Sequence, residues 1–343
     1  MPSNRQILLA SRPGGGGGDP STPPGGFPTE ANFELVETPV PAPADGQFLV
    51  RNHWLSLDPY MRGRMDAVKS YAKYVELGEV MTGGAVGEIV ASRHPQYAVG
   101  EFVTGAFGWQ EYALSDGAFV RKVDPKRAPL SYALGVLGMP GVTAWVGLLD
   151  IAQAKAGETV LVSAASGAVG SVVGQLAKIK GCRAVGIAGG AAKCEYAVSE
   201  LGFDACVDYK QGALYEDLKA ALPEGSDVCF ENVGGESLDT ALRLMKPFSR
   251  IAICGLISQY SATEQYGLRN IRSVLVNRIR MQGFIVSDRP QLWPQALAEL
   301  GEHVAAGRLK YRESVAKGLE NAPRAFIGML RGENFGKQLV ALA

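Results

Sequence analysis

The sequence predicts an α/β protein in which a β-rich domain precedes a doubly wound, six-stranded parallel sheet. Short apolar runs separated by Gly and Pro fill the first part of the chain, and helical and strand patterns alternate after it. A turn of small residues joins the first strand of that alternation to a helix. At 343 residues the chain is long enough for two domains, which we expect to comprise residues 1–136 with 308–343 and residues 137–307.

The first domain is predicted from four apolar runs that are too short for helices. They are residues 48–50, 85–91, 102–104 and 111–114. Regular turns between such runs are typical of barrel-like β domains. A Gly- and Pro-rich segment, residues 14–26, precedes them and is predicted to be a surface loop.

The second domain is predicted from alternating periodicities, which are the sign of a parallel sheet. We expect strands at 159–164, 183–188, 205–208, 227–231, 250–254 and 281–286. We expect helices at 141–152, 167–181, 191–201, 214–222, 236–245 and 291–307. The last apolar run, residues 335–340, is predicted to be a strand that returns to the first domain.

The small-residue turn follows the first strand of the second domain. The three small positions of the turn are Ala165, Gly167 and Gly170. Ala168 and Val169 lie between the last two of them. Apolar residues then recur at helical spacing, so the segment has the strand, turn and helix that a dinucleotide-binding turn requires. Small residues let the backbone approach a pyrophosphate, whose charge then lies at the helix N-terminus.

The end of the second strand favours NADP over NAD. An NAD site places Asp or Glu about 20 residues after the glycines, to hold the ribose 2′-hydroxyl. Here Gly189 stands at the end of the strand and Lys193 follows. No acidic residue repels a 2′-phosphate at this point, and a lysine can pair with one. The alternative is that Lys193 is a solvated lysine on the first turn of a helix.

Charge and cysteine content argue against several classes of protein. The chain carries 34 Lys and Arg against 34 Asp and Glu, which gives no support for nucleic-acid or anionic-membrane binding. No apolar run reaches the roughly 18 residues of a membrane span, and no secretory signal is apparent, so we expect a cytoplasmic protein. The 5 cysteines form no C-x-x-C pair and the 3 histidines are scattered, which predicts reduced thiols and no metal site.

Several segments resemble the zinc-independent medium-chain dehydrogenase/reductases. Besides the turn, they are residues 55–65, 137–141, 231–235, 253–258, 318–323 and 332–337. Within that family they are similar to the leukotriene B4 dehydrogenase/prostaglandin reductase group, and most similar to bacterial NADPH-dependent curcumin reductases. The resemblance covers nearly the whole chain, and segment 14–26 departs from it as a longer insert. It implies a GroES-like catalytic domain and a Rossmann NADP-binding domain.

The resemblance implies that NADPH reduces a carbon–carbon double bond conjugated to a carbonyl in an apolar enone. The reaction produces an enolate, whose oxygen needs a hydrogen-bond donor. A phenol has a pKa of about 10 and can donate while uncharged. Three tyrosines match positions that line the family's site: Tyr60, Tyr71 and Tyr260. Tyr71 matches the acid proposed for curcumin reductases, but which tyrosine donates the proton stays open, and each could be structural.

The resemblance also implies further cofactor contacts. Lys193 and Tyr209 match the 2′-phosphate end, although Tyr209 could equally be a surface aromatic. Residues that match positions near the pyrophosphate or the nicotinamide are Thr143, Asn232, Cys254, Gly255, Phe284, Val286 and Asn334. Backbone groups at Phe284 and Val286 would hold the carboxamide, so their side chains could be plain core.

Two other functions stay open. A quinone reductase would transfer hydride from NADPH to a ring acceptor in one step, and a nucleotide-binding protein without activity would only bind NADP. The family also implies a homodimer paired along the sixth strand, although a covered edge strand would have the same sequence. The expected partner is a small apolar substrate, with no nucleic acid and no membrane.

Overall fold

The computed structural model describes residues 3–15 and 25–342. These residues form two compact units. The first unit comprises Met1–Leu134, Tyr260–Thr263 and Glu313–Ala343, and the second comprises Gly135–Gln259 and Glu264–Arg312. Most of segment 14–26, namely residues 16–24, lies outside the described residues.

The N-terminal part of the first unit consists of antiparallel strands, as its short apolar runs predict. Its elements are β1 (Ser3–Leu9), β2 (Phe33–Pro39), β3 (Phe48–Ser56), α1 (Tyr60–Arg64), β4 (Ala85–Ser92), β5 (Phe102–Gly105), β6 (Tyr112–Ser115) and β7 (Arg121–Val123). β1 pairs with β2, while β3, β4, β5 and β7 are successive neighbours in a larger sheet and β6 pairs with β3. Phe48, Val50 and Leu55 of β3 are fully buried in the core of this unit.

The second unit alternates helices and strands. Its elements are α2 (Met139–Trp145), which continues as a π-helix (Val146–Ile151), β8 (Thr159–Ser163), α3 (Gly170–Ile179), β9 (Arg183–Ala188), α4 (Ala191–Ser199), β10 (Ala205–Asp208), α5 (Leu214–Ala221), β11 (Ser226–Glu231), α6 (Gly235–Leu242), β12 (Met245–Ile253), α7 (Ile257–Tyr260), α8 (Arg272–Val276), β13 (Arg280–Gly283) and α9 (Trp293–Ala305). Tyr260, the last residue of α7, belongs to the first unit.

The predicted doubly wound sheet is confirmed. Its six parallel strands lie in the order β10-β9-β8-β11-β12-β13. The chain reverses its direction of winding between β8 and β11. In sheets of this kind ligands bind beyond the carboxyl ends of the strands at that switch point.

The sixth strand is shorter than predicted. The expected strand 281–286 ends at Gly283, after which Phe284 keeps one hydrogen bond, from its N–H to the Ile253 carbonyl at 3.3 Å. Val286 begins a 3₁₀ turn and its carbonyl accepts a hydrogen bond from Trp293 Nε1 at 3.3 Å. Apolar residues occupy both the strand and the turn, so the sequence pattern does not mark the end of the strand.

The chain then returns to the first unit through β14 (Glu313–Lys317), α10 (Ala322–Leu330) and β15 (Lys337–Ala341). β15 pairs in parallel with β14 and antiparallel with β3, where Leu339 lies opposite Ser56. The predicted returning strand is therefore part of the sheet of the first unit.

A buried ion pair joins β15 to the chain just before α1. Lys337 is 1% exposed, and its ammonium donates to Asp58 Oδ1 at 3.0 Å and to the carbonyls of Leu57 at 2.7 Å and Gln338 at 3.1 Å. The Ser56 hydroxyl donates to the other carboxylate oxygen of Asp58. Burial lowers the pKa of Lys337 and the charge of Asp58 opposes that shift. All three ammonium donors have acceptors, so the charged pair is tolerated in the core.

We expect Lys337→Met to destabilise the protein by about 3–5 kcal/mol, because it leaves Asp58 as an unpaired buried charge. Adding Asp58→Asn should recover part of the loss by removing that charge. Lys310→Met is the control, since the Lys310–Glu200 pair is exposed and such pairs contribute about 0–1 kcal/mol. Urea unfolding measures the free energies, and equal effects of the two single lysine substitutions would contradict the prediction.

Candidate active site

The turn between β8 and α3 has the geometry that its small residues predict. Ala165 is fully buried, and its N–H donates to the Ile187 carbonyl at 2.9 Å. A Cβ on Gly170 would lie 2.3 Å from the Ala164 carbonyl oxygen, and one on Gly167 would lie 3.1 Å from the same atom. Only glycine fits at Gly170, because the N-terminus of α3 packs directly on the turn. Ala168 and Val169, inside the turn, are half-buried.

The predicted 2′-phosphate residues Gly189, Lys193 and Tyr209 lie together at the ends of β9 and β10. A Cβ on Gly189 would lie 2.8 Å from a ring carbon of Tyr209, so the exposed ring covers this glycine. Lys193 is half-buried on α4. Burial lowers the pKa of Lys193, and the positive charge of Lys210 lowers it further. Lys210 was not predicted from the sequence, because its closeness to Lys193 depends on the chain folding back from β10.

The carboxylate of Asp208, which comes from the neighbouring strand β10, also lies at the end of β9. This carboxylate accepts hydrogen bonds from the N–H groups of Gly190 at 2.8 Å and Lys210 at 3.0 Å, and from the Gln211 amide at 3.2 Å. The bond from Gly190 is the main cause that lowers the pKa of Asp208. The carboxylate is thus engaged in shaping the turn that carries Lys193.

A buried carboxylate organises the switch point of the sheet. Glu231 ends β11 and is fully buried. It accepts hydrogen bonds from the Ser163 hydroxyl at 2.9 Å and from the N–H groups of Val233 at 2.6 Å and Gly234 at 2.8 Å. Burial raises the pKa of Glu231, and these donors oppose the shift. Glu231 was not predicted as a site residue, because its partners come together only in the fold.

The predicted residues Asn232, Cys254 and Gly255 surround Glu231. The N–H groups of Cys254 and Gly255 donate to its backbone carbonyl at 2.9 and 3.2 Å. The Asn232 amide donates to the Ser163 carbonyl at 2.8 Å. Burial raises the pKa of the Cys254 thiol to about 12, with a further contribution from Glu231. The three residues therefore lie at the carboxyl ends of adjacent strands, and the thiol is protonated at neutral pH.

Three other predicted cofactor residues lie on different elements. Thr143 is buried on α2, with its hydroxyl 3.5 Å from the sulfur of Met139. Phe284 follows β13 and its ring meets that of Phe230 edge-on, with centroids 6.2 Å apart. Val286 is half-buried in the turn after it. The side chain of Phe284 thus packs as a core residue, as one of the two interpretations requires.

The predicted residue Asn334 belongs to the first unit, whereas the other predicted cofactor residues belong to the second. Its amide donates to the Gly336 carbonyl at 2.8 Å, which shapes the turn before β15.

The three candidate tyrosines all belong to the first unit. Tyr60 begins α1 and is half-buried, while Tyr71 is 58% exposed. The guanidinium carbon of Arg64 lies 5.7 Å from the ring centroid of Tyr60 and 4.6 Å from that of Tyr71. Burial raises the pKa of Tyr60 above its ordinary value, the charges of Asp58 and Tyr71 add to the rise, and Arg64 opposes it. Tyr60 is therefore a neutral phenol at physiological pH.

The segment that carries Tyr260 meets the end of the Gly- and Pro-rich insert. The Gly26 N–H donates to the Ser261 carbonyl at 3.1 Å, and a Cβ on Gly25 would lie 2.7 Å from the Ala262 carbonyl oxygen. Arg62, fully buried on α1, donates to the carbonyls of Gly25 at 2.7 Å and Gly26 at 2.9 Å. Arg62 was not singled out from the sequence, where it is one of three charged residues in segment 55–65.

Within residues 3–15 and 25–342, no group of three or more His, Cys, Asp or Glu side chains could hold a metal ion. In the same part of the chain, no helix combines the length and apolar character needed to cross a bilayer.

Two family models match the chain. One, described as the N-terminal domain of oxidoreductase, matches residues 21–123, and the other, described as zinc-binding dehydrogenase, matches residues 168–302. The NADPH-dependent curcumin reductase of Escherichia coli (strain K12) is 46% identical over 346 residues, covering 99% of this chain and 97% of that protein. Prostaglandin reductase 1 of Rattus norvegicus is 45% identical over 321 residues, covering 92% and 95%. The crystal structure of CurA in complex with NADPH from Vibrio vulnificus matches with a TM-score of 0.91 and 48% identity, covering 99% of both chains.

Lys193→Ala should weaken NADPH binding by about 1–3 kcal/mol, the scale of a charge-assisted hydrogen bond. NADH binding should hardly change, because NADH has no 2′-phosphate. Nucleotide fluorescence titration measures both affinities. Lys219→Ala, an exposed lysine on α5, is the control and should change neither. Equal losses for the two nucleotides would show that Lys193 does not bind the 2′-phosphate.

Proposed function

The chain belongs to the medium-chain dehydrogenase/reductase family, and we propose that it uses NADPH to reduce the carbon–carbon double bond of α,β-unsaturated carbonyl compounds. The observation that carries the proposal is the pair of phenols, Tyr60 and Tyr71, around one guanidinium in a chain with an intact dinucleotide-binding turn. The curcumin and prostaglandin reductases among its relatives support the same reaction. We assign catalysis to residues 1–136 with 308–343, and cofactor binding to residues 137–307.

The residues of the second unit fit NADPH, which supplies a hydride when bound. The missing Cβ atoms of Gly167 and Gly170 let the turn pack tightly against the Ala164 carbonyl, and the pyrophosphate would lie at the N-terminus of α3. Lys193, with Lys210 beside it, provides positive charge for the 2′-phosphate, and the ring of Tyr209 adjoins that charge. The remaining residues proposed for the cofactor are Thr143, Ala165, Ala168, Val169, Gly189, Asn232, Cys254, Gly255, Phe284, Val286 and Asn334.

The chemistry of the substrate explains why phenols are needed. Hydride adds to the β-carbon, the electron pair of the double bond moves toward the carbonyl, and negative charge develops on the carbonyl oxygen. Tyr60, kept neutral by its raised pKa, can donate a hydrogen bond to that oxygen. Tyr71 is exposed enough to deliver a proton taken from solvent, which ends at the α-carbon. Tyr260 is the alternative donor.

We further propose that the reaction is independent of zinc. The matching family model is described as zinc-binding, but the donor set of the described residues does not fit a zinc site. The thiol of Cys254 also has its pKa raised to about 12, whereas zinc binds thiolate. We therefore assign polarisation of the carbonyl to the tyrosines rather than to a metal ion.

We also propose that two copies pair along β13 as a homodimer. β13 is an edge strand of the parallel sheet. The segment just before it exposes apolar side chains at Ile271 (52%), Leu275 (79%) and Val276 (47%). An open edge beside an apolar patch suits pairing with a second copy. The cytoplasmic location and the lack of nucleic-acid or membrane partners stay predictions from the sequence.

The substrate class is tested by NADPH oxidation with a linear enone, curcumin and a naphthoquinone, before and after prolonged EDTA treatment. We expect the two enones to be reduced and the rates to survive EDTA. Turnover of the naphthoquinone alone would indicate a quinone reductase, and NADPH binding without any turnover would indicate a binding protein. A loss of rate that zinc restores would overturn the metal independence.

Tyr71→Phe removes one hydroxyl and keeps the ring over Arg64. If Tyr71 is the general acid, kcat should fall by roughly 100-fold or more with NADPH affinity unchanged. If it only positions substrate, KM should rise while kcat holds. Tyr260→Phe is the matched comparison, measured by the same steady-state assay. A Tyr71→Phe enzyme with wild-type kcat and KM would remove Tyr71 from the mechanism and favour Tyr260.

A further inference from the structure

Arg64 has an unusual environment for an arginine. It ends α1 and is 8% exposed. Its guanidinium stacks on the rings of both Tyr60 and Tyr71, and Nη1 donates to the Lys73 carbonyl at 3.3 Å. Among the residues that the structure describes, no carboxylate lies within ion-pair distance of it. Its neighbour Arg62, by contrast, is paired with Asp66 at 2.9 Å.

The contacts of Arg64 join two parts of the chain. Its backbone carbonyl accepts the Val75 N–H at 2.8 Å while its side chain bonds Lys73 and stacks on Tyr71. Segment 71–75 is thereby held against the end of α1, where Tyr60 lies one helical turn earlier. The exposed ring of Tyr71 therefore contacts this helix through Arg64.

The absence of a carboxylate partner among the described residues has an electrostatic consequence. A buried cation without an anion is costly, and it attracts any negative charge that forms nearby. Reduction of an enone creates such a charge beside the tyrosines. A carboxylate partner would cancel this attraction, whereas the aromatic faces and a carbonyl leave most of the positive charge in place.

We propose that Arg64 is a positioning residue for enone reduction: it holds Tyr71 beside Tyr60, and its positive charge makes their hydroxyls stronger hydrogen-bond donors to the anion that develops there. This inference rests on the proposed function and adds Arg64 to the residues proposed above for the reaction. The substrate it fits is one whose reduction leaves an oxyanion next to the two phenols. Arg64 acts through the tyrosines, so its effect on the rate depends on their hydroxyls.

The experiment compares Arg64→Met, which removes the charge, with Arg64→Lys, which keeps it. Arg64→Met should lower kcat for the enone by roughly 10–100-fold, the cost of a misplaced donor, with NADPH affinity unchanged. Arg64→Lys should recover most of that loss. In a Tyr71→Phe background, Arg64→Met should lower kcat far less than in the wild type, because a shared role makes the two effects non-additive. Arg93→Met, an exposed arginine, is the control and should match the wild type.

Thermal unfolding and NADPH binding first show which variants are folded. If Arg64→Met does not fold, Arg64→Lys replaces it in the double-mutant cycle with Tyr71→Phe. The expected loss of kcat is then smaller. Wild-type kcat and KM in folded Arg64→Met, or independent multiplication of the two losses in the cycle that is measured, would overturn this inference alone. Absence of enone turnover by the wild-type enzyme would overturn the proposed function and this inference with it.

Discussion

The buried pair of Lys337 and Asp58 is the constraint on which the first unit depends. Lys337 arrives on the returning strand β15, and Asp58 stands two residues before α1. Burying both charges is tolerated because the ammonium has three oxygen acceptors and the carboxylate has a second donor. Residues almost 280 positions apart are thereby joined. The place of α1, and with it that of Tyr60, follows from this contact.

The helix that this pair anchors carries two arginines with different tasks. Arg62 is fully buried and holds the backbone of Gly25 and Gly26, which contact the residues after Tyr260. Arg64 stacks on Tyr60 and Tyr71. One short helix therefore contacts the surroundings of all three candidate tyrosines. In the second unit the buried residue Glu231 likewise joins separate elements. Its carboxylate and its backbone carbonyl connect the ends of β8, β11 and β12.

The predicted site residues differ in how well local sequence reveals them. The turn residues 165–170 are contiguous, and their chemistry depends on size and on one helix N-terminus, so the sequence pattern suffices. Lys193 is recognisable because it follows the second strand at a short distance. Lys210 and Asp208 escape recognition, since their importance comes from the pairing of β10 with β9. The predicted end of β13 was wrong because Phe284 and Val286 are apolar residues that lie in a turn, and apolar residues would also be expected in a strand.

The sequence by itself determined the order of strands and helices and the small-residue turn, and it predicted that the positive charge of Lys193 binds a 2′-phosphate. Each of these depends on periodicity or on residues close together in the chain. Only the tertiary structure decided which charges are buried and what they contact. Arg62, Arg64 and Glu231 are ordinary charged residues in the sequence. Their roles arise because burial makes unpaired charge costly, so each must find partners that the fold alone brings within reach.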